Sequence, residues 1–280
     1  MTYDTILLRY GEIFLKGKNK DFFERKLVDN IRKIALSGGN SKTKIIKTQG
    51  RLLGDYFKEH SALRKVFGLV SYSPAVRVEK STEEIQSKAV ELLKEKKGTF
   101  RIATKRSDKS FPITSPEFNR LVGEHVERKT DLRFSYGEPD ITLEIEINQE
   151  GAYLFVETIP CFGGLPAGVE GNILLLVEND ASILAGLLFM KRGCNIFPVA
   201  FGDKDLSLLQ KFSPVPLQLG KVRTFQEIEE MTKENKITVL VSGQILKNYK
   251  SYPLNFLVMR PLIAYSEEKI KEQLRLFGNE

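Results

Sequence analysis

FRIATKRSDKSFPITSPEFNR, residues 100–120, is the stretch whose reading organises the chain. Phe100, Ile102 and Ala103 with polar alternates give a strand that runs into Lys105, Arg106 and Lys109. The chain turns at Pro112 and restarts at Ser115-Pro116, a helix start with proline in the first turn. Arg101, Lys105, Arg106, Lys109 and Arg120 face only Asp108 and Glu117 in this segment. A basic strand-to-helix corner is a surface that a nucleic-acid backbone can use. The same cluster also fits an ordinary solvated strand end. Phe111 can stack on a base or be buried against the following helix, and burial is the expectation because Phe is more often core than platform.

The neighbours of this corner repeat its pattern. Before it, Ser81-Thr82-Glu83-Glu84 is a capping box that opens a helix to about residue 97, with Ile85, Ala89, Leu92 and Leu93 on its apolar face. After it, the helix continues to about Lys129. Ile141, Leu143, Ile145 and Ile147 then alternate with Thr142, Glu144 and Glu146, and a turn at 149–151 leads into a strand over 152–158. Residues 81–160 thus read as a small α/β unit.

Upstream, a strand over 2–10 is followed by GEIFLKGKNK, which presents Lys16, Lys18 and Lys20 together. A helix over 20–36 carries Phe22, Phe23, Leu27, Ile31 and Ile34 at helical spacing, with Asn19 as its cap and Ser37-Gly38-Gly39-Asn40 ending it. Strands over 44–48 and 51–57 joined at Gln49-Gly50, a short helix over 61–66 and a strand over 69–78 complete the ferredoxin-like order. Downstream, PCFGGLPAGVEG is a Gly/Pro-rich linker at 161–172 entered from Pro160. Short apolar strands (173–177, 196–201, 215–219, 237–241, 256–259) then alternate with helices (181–192, 224–234, 266–277). That alternation specifies a parallel, doubly wound sheet.

Composition narrows the function classes. The chain has 280 residues and a net charge of +7. Residues 1–80 hold 17 Lys and Arg against 8 Asp and Glu, so the excess positive charge lies at the front and points to a polyanion, nucleic acid ahead of a membrane surface. No run approaches the roughly 18–20 apolar residues of a membrane span. Ile6-Leu7-Leu8 is broken at once by Arg9, unlike a signal peptide, so a cytoplasmic protein without membrane contact is expected. Cys161, Cys194, His60 and His125 have no metal-ligand spacing, and no metal is expected.

Three blocks together resemble the tRNA 4-thiouridine synthase family, known also for supplying sulfur to the thiazole of thiamine. LLRYGEIFLKGKNKDFFERKLVDNI at 7–31 is similar to its ferredoxin-like domain, and the segment 100–126 looks like the core of its THUMP domain, an RNA-binding module. GGLPAGVEGNILLL through FMKRG, 163–193, is similar to the entry of its PP-loop ATP-pyrophosphatase domain. The resemblance implies a ferredoxin-like α+β domain at 1–80, a THUMP α/β domain at 81–160, the linker at 161–172 and a doubly wound, mostly parallel PP-loop-like α/β domain at 173–280. It further implies a short, archaeal-type member acting on the acceptor stem and 3′ CCA end of tRNA. Lys16, Lys18, Lys20, Arg101, Lys105, Arg106, Lys109 and Arg120 would be the phosphate contacts, and homodimerisation is expected.

The departures shape the functional expectation. Aligned on Met190-Lys191-Arg192-Gly193, the family's Ser-Gly-Gly-x-Asp-Ser loop, which holds the ATP pyrophosphate, is here Val177, Glu178, Asn179, Asp180, Ala181 and Ser182. Both glycines and the aspartate are replaced, and Glu178 and Asp180 repel phosphate. By resemblance the sulfur-carrying cysteine belongs to a rhodanese extension beyond residues 260–263, which is not expected here, and neither Cys161 nor Cys194 matches its position. The expectation is therefore a tRNA-binding or scaffold subunit in tRNA thiolation, without ATP or magnesium as cofactor and with no catalytic residue of its own. A separate catalytic or sulfur-donor protein would complete the reaction. The alternative is an active tRNA uracil 4-sulfurtransferase with an altered site, Cys161 or Cys194 carrying sulfur. Of these two, Cys161 in its Gly-rich loop is expected to be the more exposed and Cys194 a buried structural thiol.

Overall fold

The computed structural model describes residues 3–35, 43–48, 50–235 and 237–278. Along the chain these form β1 (Thr5–Tyr10), α1 (Lys20–Ala35), β2 (Ile45–Thr48), β3 (Arg51–Asp55), β4 (Leu69–Val78), α2 (Thr82–Leu93) and β5 (Thr99–Arg106). There follow α3 (Ser115–Lys129), β6 (Arg133–Phe134), β7 (Ile141–Asn148), β8 (Gly151–Phe155), β9 (Ile159–Pro160), β10 (Asn172–Leu176), α4 (Asp180–Lys191) and β11 (Asn195–Ala200). The last elements are α5 (Ser207–Phe212), β12 (Gly220–Lys221), α6 (Phe225–Asn235), β13 (Val239–Ser242), β14 (Leu257–Met259) and α7 (Glu267–Gly278). Leu36, the helix stop at Ser37–Asn40 and Gln49 of the β2–β3 turn lie outside the described residues. Two compact units are formed: Met1–Arg9, Thr43–Lys58 and Ser71–Pro160 make one, and Tyr10–Lys42, Glu59–Val70 and Cys161–Glu280 make the other.

The first unit holds a sheet of order β2-β3-β1-β4-β8-β7-β5-β6, with β9 added beside β4. The run β2-β3-β1-β4 is the ferredoxin-like arrangement, and β8-β7-β5-β6 continues it through the antiparallel β4–β8 pair, Val76 opposite Leu154. β5 and β7 are parallel, with Phe100 beside Ile141 and Lys105 beside Glu146. The alternation on these strands decides which face is covered. Phe100, Ile102, Leu143, Ile145 and Ile147 are buried with Ile85, Ala89, Leu92 and Leu93 of α2 and Phe118, Val122 and Val126 of α3. α2 begins as its capping box specifies, the Ser81 Oγ accepting from the Glu84 N–H at 3.3 Å. It ends at Leu93, four residues short of the expectation, because the Lys94–Lys97 run offers no further apolar position to its buried face.

The opposite face of this sheet carries Leu7, Leu53, Ala75, Tyr153 and Phe155, buried together. Beside them Arg9 of β1 and Arg51 of β3 both pair with Glu146 of β7. In a flat sheet β3 and β7, four strands apart, would be separated by roughly 19 Å. Their side chains meet because the sheet curls, so the face folds over its own apolar strip.

In the second unit a five-stranded, all-parallel sheet has the order β12-β11-β10-β13-β14. β10 is apolar on both sides, and its alternation sorts the helices. Ile173, Leu175 and Val177 join the cluster containing Leu184, Leu187, Leu209 and Phe277 from α4, α5 and α7. Leu174 and Leu176 join Ile228 of α6. Helices therefore cover both faces, the doubly wound arrangement expected from the sequence. Gly186 on α4 is where helix and strand come closest: a Cβ there would stand 2.6 Å from the Leu175 side chain.

The strand expected over 215–219 does not form. Pro214 and Pro216 remove two backbone donors there. The Gln210 side chain of α5 takes the place of a neighbouring strand, donating to the Val215 carbonyl at 3.1 Å and accepting from the Leu217 N–H at 2.7 Å. The third parallel strand is instead the two-residue β12.

Candidate functional site

The corner at 100–120 keeps its shape through its own side chains. Arg106, at the end of β5, donates from Nη1 to the Phe111 carbonyl at 2.7 Å. Phe111 is buried and meets Phe118 of α3 edge-on, ring centroids 5.1 Å apart, so it is a core residue as expected and not a stacking platform. Asp108 ties the loop down: its carboxylate accepts from Lys80 Nζ at 2.7 Å and from the Ser110 hydroxyl and N–H. These donors hold its pKa down to about 2, so it stays charged across the neutral range. Thr114 caps α3, its hydroxyl accepting from the Glu117 N–H.

The five cations of the corner are not equivalent. Arg101 and Lys105 lie on the sheet face opposite α3, four residues apart on β5 and both exposed. Lys105 stands 3.7 Å from Glu144, a long pair at 74% side-chain exposure that leaves its charge largely available. Arg120 pairs with Glu124 one helical turn on, at 2.9 Å. Lys109 is exposed at the loop tip. Arg106 is half-buried and committed to the loop, so of the five it has least to offer a ligand.

In the second unit, Lys16, Lys18 and Lys20 lie on and beside a 3-10 helix at Glu12–Asn19 that breaks at Gly17, where φ is +51°. Lys16 reaches Glu170 at 3.0 Å and sits over the Phe23 ring. Lys20 reaches Glu24 at 3.5 Å and sits over the Phe14 ring. Lys18 is exposed. The basic segment is thus presented on aromatic side chains, an arrangement that the helical spacing of Phe22 and Phe23 did not disclose.

The β10–α4 turn is the switch point of the second sheet, where the chain leaves β10 for one side and returns at β13 on the other; ligands of open α/β sheets bind at such points. Here Glu178, Asn179 and Ser182 are engaged by the chain itself. The Asn179 side chain caps α4 by accepting from the Ser182 N–H at 3.3 Å. The Glu178 N–H donates to the Ser182 hydroxyl. The Glu178 carboxylate accepts from the Tyr252 hydroxyl at 2.5 Å and pairs with Lys250 at 2.9 Å, and Lys204 donates to the Glu178 carbonyl. The Tyr252 hydroxyl also meets the Ser242 hydroxyl at the end of β13. Burial and the bond to Glu178 push the Tyr252 pKa up, so it remains a donor. Gly243 packs so tightly on α4 that a Cβ would stand 2.2 Å from the Ser182 nitrogen. Next to this turn a cleft of about 410 Å³ is lined by Asp180, Glu267 and a single cation, Lys271, among other residues. Tyr252, Lys250 and Lys204 were not foreseen, since no pattern in 201–206 or 244–259 marks residues that fold back onto Glu178.

Both cysteines are free thiols withdrawn from full exposure. Cys161 is half-buried, the more exposed of the two as expected but not open to solvent; its thiol points at the Leu63 carbonyl and burial pushes its pKa up to about 12. Cys194 is buried, as expected, and its pKa is likewise raised by burial. Because the thiolate is the reactive form, alkylation of the native protein by iodoacetamide at pH 8 is expected to be at least tenfold slower than that of the urea-unfolded chain; equal rates at Cys161 would refute this burial. Among the described residues no group of three or more His, Cys, Asp or Glu could hold a metal, and no helix is long and apolar enough to cross a membrane.

A ferredoxin-like sheet continued by a second α/β unit with a basic corner, and a separate parallel sheet with helices on both faces, together define the class: a THUMP-bearing α/β protein with a PP-loop-like fold. Family models agree, matching a ThiI ferredoxin-like domain at residues 5–73 and a THUMP domain at 79–157. A probable tRNA sulfurtransferase of Oceanobacillus iheyensis is 41% identical over 334 aligned positions, covering 99% of this chain and 83% of that protein. One of Brevibacillus brevis is 39% identical over 255, covering 84% of this chain and 63% of that protein. The chain belongs to the tRNA sulfurtransferase family. Its fold is also that of PH1313 from Pyrococcus horikoshii, with a TM-score of 0.86 at 28% identity over 98% of this chain and 99% of that one. A 4-thiouridine synthetase solved with RNA and ATP shares the fold at a TM-score of 0.85 and 24% identity, over 99% of this chain and 85% of that one.

Proposed function

We propose that this chain is a tRNA-binding member of its family that acts in tRNA thiolation as a binding or scaffold subunit and does not itself adenylate uridine or transfer sulfur. The ferredoxin-like and THUMP parts, within residues 1–160, grip the acceptor stem and 3′ CCA end through the exposed cations described above. Such recognition reads RNA shape and an unpaired end. The observation that carries the loss of chemistry is the β10–α4 turn: a polyphosphate there finds the Ser182 N–H already capped by Asn179 and meets the carboxylates of Glu178 and Asp180. Those residues do not fit ATP. A homodimer in the cytoplasm, working with a separate catalytic or sulfur-donor protein, completes the reading.

The second reading, an active tRNA uracil 4-sulfurtransferase with an altered site or partner-supplied catalysis, draws on the names of the relatives. The raised pKa of both thiols weighs against sulfur carriage by Cys161 or Cys194. One experiment separates the two: the purified chain is mixed with unmodified tRNA, ATP–Mg and a sulfide source, and pyrophosphate release and 4-thiouridine are measured. Tight, salt-sensitive tRNA binding with neither product is expected. Uridine-dependent pyrophosphate release would establish the second reading, and absence of tRNA binding would refute the first.

A further inference from the structure

Resting on the reading that nucleotide chemistry is lost, we propose that Glu178 is an internal anion. Its carboxylate takes the place at the switch point that a phosphoryl ligand would occupy, and through it pins residues 249–254 across the ends of β10 and β13.

The side chains around Glu178 are those that recognise phosphate: an ammonium at 2.9 Å from Lys250 and a phenol from Tyr252. A second ammonium, Lys204, binds the carbonyl of the same residue at 2.7 Å. Cations converging on one point of a switch-point crevice are the usual partners of a bound anion. Here the anion is supplied by the chain. The segment that brings Tyr252 and Lys250 is also held by packing, Tyr252 lying in the apolar cluster of Leu174, Leu176 and Ile228 with its ring 5.3 Å from that of Phe225. Arg260 holds it from behind, donating to the Lys250 carbonyl and lying 5.0 and 5.5 Å from the Tyr249 and Tyr252 ring centroids. Tyr252 additionally joins β13 through Ser242. Neutralising Glu178 therefore does two things at once. It removes the charge that repels phosphate, and it unlinks Lys250 and weakens the hold on Tyr252.

The test uses Glu178→Gln, which keeps the shape and a hydrogen bond to Tyr252, and Tyr252→Phe, which keeps the ring. Calorimetry with inorganic tripolyphosphate and with ATP–Mg is run on both variants and on the unaltered protein. Hydrogen exchange is followed at residues 249–254. The expected result is no binding by the unaltered protein at millimolar ligand, and tripolyphosphate binding by Glu178→Gln at least tenfold tighter than that limit. Exchange at 249–254 is expected to rise at least tenfold in both variants. If Glu178→Gln binds no better and the exchange is unchanged, the internal-anion role is refuted while the loss of adenylation stands. If the unaltered protein binds ATP–Mg at micromolar concentration, the loss of adenylation itself falls.

Discussion

With Arg101 and Lys109 both changed to alanine, tRNA affinity at physiological salt is expected to fall about tenfold or more, and the slope of log K against log salt to flatten by about 1.4–1.8. These two are chosen on geometry. Arg101 projects from the open face of β5 and Lys109 from the tip of the loop after it, and neither forms part of the core. Arg120 shares its charge with Glu124, so a single alanine there should cost less. Arg106→Ala is a control of another kind, because its lost bond to the Phe111 carbonyl disturbs the loop as well as any RNA contact. Binding measured by fluorescence anisotropy over a salt series decides the matter. Unchanged affinity and slope in the double variant would mean that RNA is held elsewhere.

Glu146→Ala is expected to lower the unfolding free energy by about 2–3 kcal/mol, read as a lower urea midpoint. Breaking a buried ion pair typically costs about 3–5 kcal/mol because the surviving charge is left without a partner. The lower figure applies because the Arg9 and Arg51 side chains are 21% and 27% exposed, so water relieves part of the penalty. The carboxylate itself is only 8% exposed and takes both guanidiniums. Arg9 also donates to Ser73 and covers the Phe155 ring, so the loss spreads over four strands of the curled sheet. Arg9 and Arg51 fall in the segment matched by the ferredoxin-like model, and Glu146 in the segment matched by THUMP. The same variant is therefore expected to loosen the joint between the two, and an unchanged urea midpoint would show that the sheet needs no such clasp.

Local signals carried the elements they could carry. The capping box at Ser81, the proline at position 116 and the alternation of Ile141 to Ile147 act over a few residues, and each element starts or faces as those residues specify. The fully apolar β10 correctly announced a strand covered on both sides. Where the reading failed, the deciding partner lay outside the segment being read. The 215–219 segment has strand-like composition, but Pro216 within it and Pro214 before it lack backbone donors, and Gln210 takes the Val215 carbonyl and the Leu217 N–H. Cys161 sits among glycines, yet the turn those glycines allow carries its thiol to Leu63, 98 positions away.

The sequence by itself determined the family, the order of most strands and helices, the excess of positive charge at the front, and the replacement of two glycines by Glu178 and Asn179. Those properties are written in residue type and short-range spacing. Only the tertiary structure decided what the charges do. It commits Arg106 to a carbonyl and leaves Arg101, which donates to the Thr142 hydroxyl at 3.4 Å, and Lys109 exposed to solvent at the corner. It closes Arg9 and Arg51 on Glu146 across a curled sheet, and it folds Lys250 and Tyr252 back onto Glu178. A charge acts through its distance to other charges, and those distances are fixed by strand register and sheet curvature, which bring together residues that lie 72 to 137 positions apart in the chain.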